Sequence, residues 1–328
     1  MPANLPPEYF EAEKRYRSAR TPAEKVDCLE ELLSIIPKHK GTDKLRADLR
    51  RRLSKLKTAP RNKKGAGKRE SAFRINKEGA SQATIVGSAN VGKSSLVVAL
   101  TNAEPEVAGF PYTTWKPTPG MMPVANIQIQ LVDTPPLNTD YIEPELIDLI
   151  RRTDLILLMV DLTTDPVDQL QETAAILASY GILPLHRKSE VSESPTATFI
   201  PFLVLANKND DGRTDENVEI FTELLEVEWP ILPISTATRR NLEKLKQRIV
   251  ETLKIIRVYS KAPGKEPDFT APFVLHEGDT LADFATKIHQ DFAEKLKSAR
   301  IWGKSVFDGQ MVHRDHILED EDVVELHI

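Results

Sequence analysis

The sequence predicts an α/β fold built on a doubly wound, mainly parallel sheet. Two observations carry this prediction. Short apolar strands alternate with amphipathic helices over residues 81–256, and a glycine-rich loop lies between the first strand and the first helix. Strands that alternate with helices imply parallel pairing, because each crossover helix returns the chain to the same edge of the sheet. The apolar stretches Leu155–Val160 and Phe202–Ala206 have the composition of strands that are buried on both faces.

The bounds of the elements follow from the apolar pattern and from the turn residues between the apolar stretches. The predicted strands of this α/β domain are Ala83–Val86, Ile127–Val132, Leu155–Val160, Phe202–Ala206 and Ile231–Ile234. Its predicted helices are Val91–Leu100, Glu143–Arg152, Val167–Ser179 and Asn241–Leu253.

Residues 1–80 are predicted to form a basic helical region followed by a linker. Thr21–Glu24 has the pattern of a capping box with proline at the first helical position, and the helix that it opens ends at Pro37. Thr58–Lys68 has the composition of a flexible connector. A second helix, expected between Pro37 and this connector, would complete an antiparallel helical hairpin. Leucines follow one face of that helix at Leu45, Leu49, Leu53 and Leu56.

Residues 257–328 are predicted to form a small α+β domain. Phe273–Leu275 is a predicted strand, and His276–Asp279 is a turn. One amphipathic helix is expected over Leu281–Leu296, followed by short strands near Lys304–Phe307 and at Val323–Ile328. Strands that flank a single helix in so short a segment are typical of an α+β module.

The composition excludes several classes of protein. A single cysteine, Cys28, excludes a disulfide framework and a cysteine-based zinc site, and it favours a reducing compartment. The longest apolar runs are far shorter than the ~20 residues that a membrane span needs. The N-terminal residues MPANLPPEYFEAEK contain no apolar stretch preceded by basic residues, so no signal peptide is evident. We therefore expect a cytoplasmic protein without a membrane partner.

Basic residues concentrate in one part of the chain. The formal net charge is −5, but residues 38–77 hold 16 lysines and arginines and only three acidic residues. Such a segment favours contact with RNA phosphates, because each contact releases counterions. The alternative is a solvated helix face. The candidate RNA-binding residues are Arg46, Arg50, Arg51, Arg52, Lys55, Lys57, Arg61, Lys63, Lys64 and Lys68.

Two further partner expectations follow from the distribution of side chains. Aromatic residues do not interleave with the basic residues, so sequence-specific reading of single strands or of DNA is not indicated. Residues 257–328 carry nine basic and 14 acidic side chains and should bind phosphates poorly. Contact with a protein partner, or packing on the α/β domain, is expected there instead.

The glycine-rich loop has the spacing G-x-x-x-x-G-K-[ST] and the strand–loop–helix context that phosphate binding requires. Its glycines let backbone N–H groups turn toward phosphate oxygens, and the helix N-terminus adds its positive end. Lys93 would reach the β- and γ-phosphates, and the Ser94 hydroxyl would ligate Mg²⁺. The candidate phosphate-loop residues are Gly87, Ser88, Ala89, Asn90, Val91, Gly92, Lys93, Ser94 and Ser95.

The tetrapeptide Asn207–Asp210 (NKND) directly follows the apolar strand Phe202–Ala206. The Asp210 carboxylate could accept from the ring N–H and the exocyclic amino group of guanine, a pair that adenine lacks. Lys208 would pack its stem across the base, and Asn207 would tie this loop to the phosphate loop. The alternative is an exposed polar turn. Downstream, Ser235, Thr236 and Ala237 could support the edge of the base.

Two further oxygen ligands of Mg²⁺ are predicted. Asp133 follows the strand Ile127–Val132, where P-loop proteins require a carboxylate that holds the ion through water. Thr113 and Thr114 lie between the phosphate loop and that strand. One of them, with Thr114 preferred, could add its hydroxyl when a γ-phosphate is present. The alternative for the two threonines is an ordinary turn.

With these residues in order, the chain resembles the Obg class of translation-factor-related GTPases, specifically the developmentally regulated GTP-binding subfamily. Gly109–Thr114 followed by Pro119-Gly120 is similar to the first switch of that class. The basic stretch Lys38–Lys68 resembles the helical region of the subfamily. The C-terminal motifs look like its TGS domain, a ubiquitin-like β-grasp module: they are Tyr259–Gly264, Pro267–Phe269, Ile288–Asp291, Ile301–Gly303 and Leu318–Val324. The resemblance implies a GTP-driven factor that acts on ribosomes or RNA.

The sequence departs from the family pattern in the D-x-x-G region and at the accessory insertion. Pro136 replaces the glycine of the usual D-x-x-G motif, and proline has no N–H to offer a γ-phosphate. Leu137 follows, where many GTPases place a glutamine that orients water. In addition, only the polar stretch His186–Thr198 occupies the position at which the subfamily carries an accessory insertion.

Two functions remain open at this point. The favoured one is slow hydrolysis of GTP, with Lys93, Asn90 and Thr114 as the catalytic set. The resemblance implies that Asn90 helps to ligate K⁺, which would neutralise charge in the transition state. Alternatively, Asn90 only bonds within its own loop. The second function is a GTP-binding RNA or ribosome adaptor with negligible turnover, which Pro136 and Leu137 favour. A related ATPase is opposed by Asp210.

Overall fold

The computed structural model describes residues 14–16, 28–29, 31–33, 35–36, 49, 75–101, 116–137, 142–189 and 197–327. The chain divides into two compact units, residues 1–69 and 70–328. In the first unit most of the described residues are helical, and Leu29, Leu32, Ile36 and Leu49 are buried together. The rest of the predicted hairpin and its connector lie outside the described residues.

The second unit contains a six-stranded sheet with the order β2-β3-β1-β4-β7-β8. Every neighbouring pair is parallel except β2 and β3, which confirms the predicted doubly wound, mainly parallel sheet. The six strands are β1 (Gln82–Val86), β2 (Thr118–Val124), β3 (Ile127–Asp133), β4 (Leu155–Asp161), β7 (Phe202–Asn207) and β8 (Ile231–Pro233).

Helices cover both faces of this sheet because both faces of the strands are apolar. The five helices of this domain are α1 (Lys93–Leu100), α2 (Pro144–Arg151), α3 (Pro166–Ser179), α4 (Asp215–Glu223) and α5 (Leu242–Leu253). One core lies on the face covered by α1 and α5 and includes Leu96 and Leu245. The other lies under α2, α3 and α4 and includes Ile150, Leu170 and Phe221.

Four elements of the α/β domain were not predicted. Strand β2 contains Pro119 and Pro123, which are tolerated because β2 is an edge strand. Helix α4 fully buries only Phe221, so its apolar period is weak. The short strands β5 (Ile182–Pro184) and β6 (Thr198–Ile200) pair in parallel at the two ends of the polar stretch 186–198.

Residues 255–327 form a β-grasp domain, which confirms the fold that the family resemblance implied for the C-terminal part of the chain. Its sheet has the order β10-β9-β13-β11-β12, with β13 parallel to β9 in the middle. This is the strand order of a ubiquitin-like fold. The elements are β9 (Ile255–Ser260), β10 (Phe273–His276), α6 (Leu281–Ile288), α7 (Gln290–Lys295), β11 (Ser298–Trp302), β12 (Gln310–Val312) and β13 (Val323–His327).

Two predictions for this domain were wrong. The single helix expected over Leu281–Leu296 is interrupted at His289, whose backbone is extended (φ −169°, ψ 146°). The strand expected near Lys304–Phe307 is a series of bends, and the flanking strands β11 and β12 form the hairpin instead. Strand β9, which follows α5 after Lys254, was not predicted.

The α/β domain and the β-grasp domain, which together form the second unit, pack against each other. Ile255, the first residue of β9, belongs to the buried core of the α/β domain, and Val274 of β10 packs against that core. At the turn between β2 and β3, Asn126 Nδ2 donates to Tyr259 Oη at 2.8 Å and to the Phe269 carbonyl at 3.1 Å. Within the described residues, no helix combines the length and the apolar character that crossing a membrane requires.

Candidate nucleotide-binding site

The phosphate loop connects β1 to α1 and has the backbone that its glycines predict. Gly87 and Gly92 adopt φ values of 145° and 103°, and Asn90 lies in the left-handed region at φ 62°. A Cβ at Gly87 would collide with the Met159 carbonyl, and a Cβ at Gly92 would collide with Asn207 Nδ2. Glycine is therefore required at both ends of the loop. Ser88, Ala89, Ser94 and Ser95 of the predicted set are more open to solvent than Val91.

Lys93, the first residue of α1, points its ammonium group into the loop. Nζ donates to the Gly87 carbonyl at 3.0 Å and to the Ser88 carbonyl at 2.6 Å. Burial lowers the pKa of Lys93 to about 8, against the opposing attraction of Asp133. A buried ammonium group at this point strengthens the field that an incoming phosphate meets.

Ser94 and Asp133 lie side by side at the end of β3. The Ser94 hydroxyl donates to Asp133 Oδ2 at 2.5 Å. Burial raises the pKa of Asp133, while the hydrogen bond from Ser94 and the charge of Lys93 oppose the rise. Asp133 Oδ1 is buried and has no hydrogen-bond partner among the described residues. A buried carboxylate oxygen beside a serine hydroxyl fits the oxygen ligands that Mg²⁺ prefers.

The residues after β3 pack against the phosphate loop. Thr134 donates its hydroxyl to the Ile85 carbonyl at 2.7 Å, and the Leu137 N–H donates to the Gly87 carbonyl at 3.4 Å. Pro136 is exposed, whereas Leu137 is buried in the core under α2. Leu137, which stands where many GTPases have a water-orienting glutamine, therefore packs in the core.

Asn207 joins the loop after β7 to the phosphate loop, as predicted. Its Nδ2 donates to the Val91 carbonyl at 2.8 Å, and its Oδ1 accepts from the Thr236 N–H at 3.1 Å. The side chain is almost fully buried. One amide thus fixes three segments: the phosphate loop, the end of β7 and the loop of Ser235, Thr236 and Ala237.

Asp210 and Lys208 lie on either side of the buried Asn209. Asp210 is exposed, and its Oδ1 accepts from the Ser235 hydroxyl at 2.5 Å. Lys208 has a left-handed backbone (φ 67°), and its ammonium group forms an ion pair with Asp161 at the end of β4. The structure places both predicted base-reading residues in the loop after β7, next to the carboxyl end of β4, and Asn207 joins this loop to the phosphate loop.

Arg240 connects the loop after β7 to the start of α4 through hydrogen bonds, and it was not predicted from the sequence. Its guanidinium forms two hydrogen bonds to the Asp215 carboxylate at 2.9 and 3.0 Å, a third to the Asp211 carbonyl and a fourth to Asn209 Oδ1. Its carbonyl accepts from the Ser235 N–H at 3.1 Å. The hydrogen bond from Arg240 holds the pKa of Asp215 below its usual value. No motif signals this residue, because its partners are brought near only by the fold.

Several predicted residues cannot be placed. Thr113 and Thr114 lie outside the described residues, as do all ten candidate RNA-binding residues between positions 46 and 68. In the part of the chain that the structure describes, no group of three or more histidine, cysteine or acidic side chains is suited to hold a metal ion by itself.

Comparisons with known proteins identify the two domains. The family described as 50S ribosome-binding GTPase matches residues 82–199, and the TGS domain family matches residues 256–328. An uncharacterized GTP-binding protein of Methanocaldococcus jannaschii is 30% identical over 92% of this chain and 91% of its own length. This chain belongs to the Obg-class GTPases that carry a TGS domain.

Other members of this GTPase family align over similar lengths. Developmentally-regulated GTP-binding protein 1 of Xenopus laevis is 28% identical over 85% of this chain and 91% of its own length. Ribosome-interacting GTPase 1 of Saccharomyces cerevisiae is 26% identical over 93% and 98%. The solved YchF GTPase of Schizosaccharomyces pombe superposes with a TM-score of 0.53 at 14% identity, covering 77% of this chain and 100% of that chain, and it shares the fold.

Proposed function

We propose that this GTP-binding protein hydrolyses GTP to GDP and phosphate, and that the phosphate loop, Asp133 and Asn207–Asp210 form its site. The contact between Asn207 Nδ2 and the Val91 carbonyl (2.8 Å) carries the proposal, because it joins a base-reading loop to a phosphate loop. The two loops then present complementary groups to the two ends of one nucleotide.

The phosphate end of the nucleotide would be held by the loop N–H groups and by Lys93. Lys93 is bonded to two loop carbonyls, and exchange of these for β- and γ-oxygens keeps its ammonium group paired. Ser94 and Asp133 would hold Mg²⁺, with Thr114 added when a γ-phosphate is present. When bound, the ion neutralises charge that develops on the phosphate oxygens. Asp133 Oδ1, buried without a partner among the described residues, supports this assignment.

The base end would be read by Asp210, with Lys208 across the ring. The Ser235 hydroxyl occupies only Oδ1 of Asp210 and leaves acceptor capacity for the N–H groups of guanine. Asn207 fixes the loop, and Ser235, Thr236 and Ala237 close the edge of the base pocket.

We propose slow turnover that K⁺ stimulates through Asn90. Leu137 stands where many GTPases place a water-orienting glutamine, and it is buried in the core, whereas Asn90 is exposed at the tip of the phosphate loop. Turnover of the wild type and Asn90→Ala in KCl and in NaCl tests this role. We expect a higher rate in KCl for the wild type and equal rates for the variant. Equal wild-type rates in the two salts, or stimulation that survives in N90A, would contradict it.

Negligible turnover is the second candidate, since Pro136 offers no N–H to a γ-phosphate. In that case the protein would act as a GTP-binding adaptor. Single-turnover measurements with excess protein in KCl separate the two candidates. Phosphate release above the uncatalysed rate supports a GTPase, and its absence despite demonstrated GTP binding supports the adaptor.

We further propose that residues 38–77 contact ribosomal or other RNA in the cytoplasm. Their charge of +13 and the name Ribosome-interacting GTPase 1 of a 26% identical relative support this partner. Removal of residues 38–77 should weaken binding to ribosomes and flatten its dependence on salt, since fewer counterions are released. Unchanged affinity with an unchanged slope would exclude the segment as the contact. The acidic TGS domain is proposed to dock a protein.

A further inference from the structure

The ion pair between Lys208 and Asp161 connects the base-reading loop to the neighbouring strand. Lys208 is more than a third exposed, and a free lysine side chain at such a position would sample many rotamers. To lie across a purine ring its four-carbon stem must keep one direction. The Lys208 ammonium group donates to Asp161 Oδ2, and this contact fixes the far end of the stem.

The Asp161 carboxylate is itself held in place by groups other than Lys208. Its Oδ1 accepts from the Thr163 N–H at 2.9 Å and from the Thr163 hydroxyl at 2.7 Å. The Asp161 N–H donates to Gln169 Oε1 at 2.9 Å. With Oδ1 occupied twice, Oδ2 is the oxygen that remains for the ammonium group. Asp161 is 5% exposed, so solvent competes weakly for this contact.

The strands place this pair at the mouth of the site. Asp161 is opposite Asn207 in the parallel register of β4 and β7, and the Leu162 N–H donates to the Asn207 carbonyl at 3.1 Å. Lys208 is the next residue after Asn207, which is bonded to the phosphate loop. Asp161 at the end of β4 can therefore hold Lys208, which follows β7, because the pairing of β4 with β7 fixes the two strand ends side by side.

We infer that Asp161 is a positioning residue that holds the Lys208 stem across the purine ring. This inference deepens the proposed function and rests on it. Burial opposes ionisation of Asp161, but the hydrogen bonds from Lys208 and Thr163 outweigh that effect and hold its pKa below the usual value. The carboxylate is therefore ionised at neutral pH. Because stacking does not depend on the 2-amino group, Asp161 should affect different purine nucleotides alike.

Nucleotide affinities of Asp161→Asn and of the wild type test the inference. We expect GDP and IDP to bind more weakly to D161N by the same factor, about five- to fiftyfold. Asp168→Asn is the matched control, because it removes the same charge from an exposed position in the first turn of α3. This control should bind both nucleotides as the wild type does.

A double-variant cycle separates positioning from a general structural role. In a Lys208→Met background, D161N should cause no further loss of GDP affinity, because its partner is already absent. Thr163→Val, which removes one bond that orients the carboxylate, should give a smaller loss and covers the case in which D161N does not fold. Unchanged affinity in D161N and T163V, or the full loss in the K208M background, would overturn the inference. A wild type that does not bind GDP would instead contradict the proposed function.

Discussion

At the scale of single residues, Gly92 shows how closely the two halves of the site fit. Its φ of 103° is one that side chains rarely adopt, and Asn207 Nδ2 occupies the space where a Cβ would lie. The same Asn207 amide donates to the Val91 carbonyl, so the close approach and the hydrogen bond depend on each other. Asn207 thus holds the phosphate loop and the base-reading loop in fixed relative positions.

We expect Gly92→Ala to weaken GDP binding about ten- to hundredfold, because the added Cβ strains the loop and displaces Asn207. Fluorescence titration with labelled GDP measures the loss. Gly212→Ala is the control: its nearest contact would be Asp215 Oδ2 at 4.0 Å, and it should bind GDP normally. Normal affinity in G92A would show that the two loops are not interlocked.

Residues of the site were predictable where the chemistry lies in a short motif. Lys93, Ser94, Asn207 and Asp210 are in such motifs, and the structure brings them together. Asp161 and Arg240 were not predicted, because their partners Lys208 and Asn209 are 47 and 31 residues away in the chain. Only the order and register of the strands make these neighbours.

At the scale of elements, the apolar pattern predicted the central strands well and the edges poorly. Strands β4 and β7 are apolar along their length because neighbours and helices cover them completely. Strand β2 contains two prolines, which a pattern search treats as breaks although the outer edge of a sheet tolerates them. The break between α6 and α7 was also missed, because histidine is not among the usual N-cap residues. His289 Nδ1 accepts from the Asp291 N–H at 3.2 Å and so caps α7.

Asp154 ties the segment before β1 to the start of β4. Its carboxylate accepts from Lys77 at 2.5 Å, from the Ser81 hydroxyl at 2.8 Å and from the Gln82 N–H at 2.9 Å. Burial opposes its ionisation, but these three bonds prevail and hold the pKa of Asp154 below its usual value. The ionised form therefore stabilises the fold above about pH 4, and this stabilisation is lost as the pH falls through the lowered pKa.

We expect Asp154→Asn to lower the free energy of unfolding by about 1–2 kcal/mol at pH 7. The difference from the wild type should shrink below the lowered pKa, where the wild-type carboxyl is protonated as well. Urea unfolding at pH 7 and at a series of decreasing acid pH values follows this change. Asp148→Asn, on the exposed side of α2, should change stability little at any of these pH values. A pH-independent difference in D154N would contradict the electrostatic explanation.

At the scale of the whole molecule, the β2–β3 hairpin runs from the nucleotide site to the TGS domain. Thr118 is paired with Asp133 at one end of the hairpin, and Val124 is paired with Ile127 at the other. Asn126, in the turn, donates to Tyr259 and to the Phe269 carbonyl, and the Tyr259 and Phe269 rings meet edge to face with centroids 5.0 Å apart. The hairpin therefore connects Asp133, the proposed magnesium ligand, directly to the TGS domain.

Asn126→Ala removes both hydrogen bonds of this link. We expect faster amide hydrogen exchange around residues 266–270 and a loss of about 1–2 kcal/mol in the stability of the contact. Exchange mass spectrometry on the full chain measures it. The control Asn217→Ala changes an exposed asparagine of α4 and should leave that segment as it is. Unchanged exchange in N126A would show that the contact does not restrain the TGS domain.

Competition of GDP, XDP and ADP for the site tests whether Asp210 selects a guanine nucleotide. The wild type should prefer GDP to both competitors by at least about a hundredfold, because ADP lacks the pair of N–H groups that Asp210 accepts and XDP carries a carbonyl oxygen where guanine has its amino group. Asp210→Asn should reverse the preference to XDP, since its amide donates where the carboxylate accepts, whereas the neighbouring Asp211→Asn should keep the wild-type order. Equal binding of ADP and GDP to the wild type, or an unchanged preference in D210N, would show that Asp210 does not select the base.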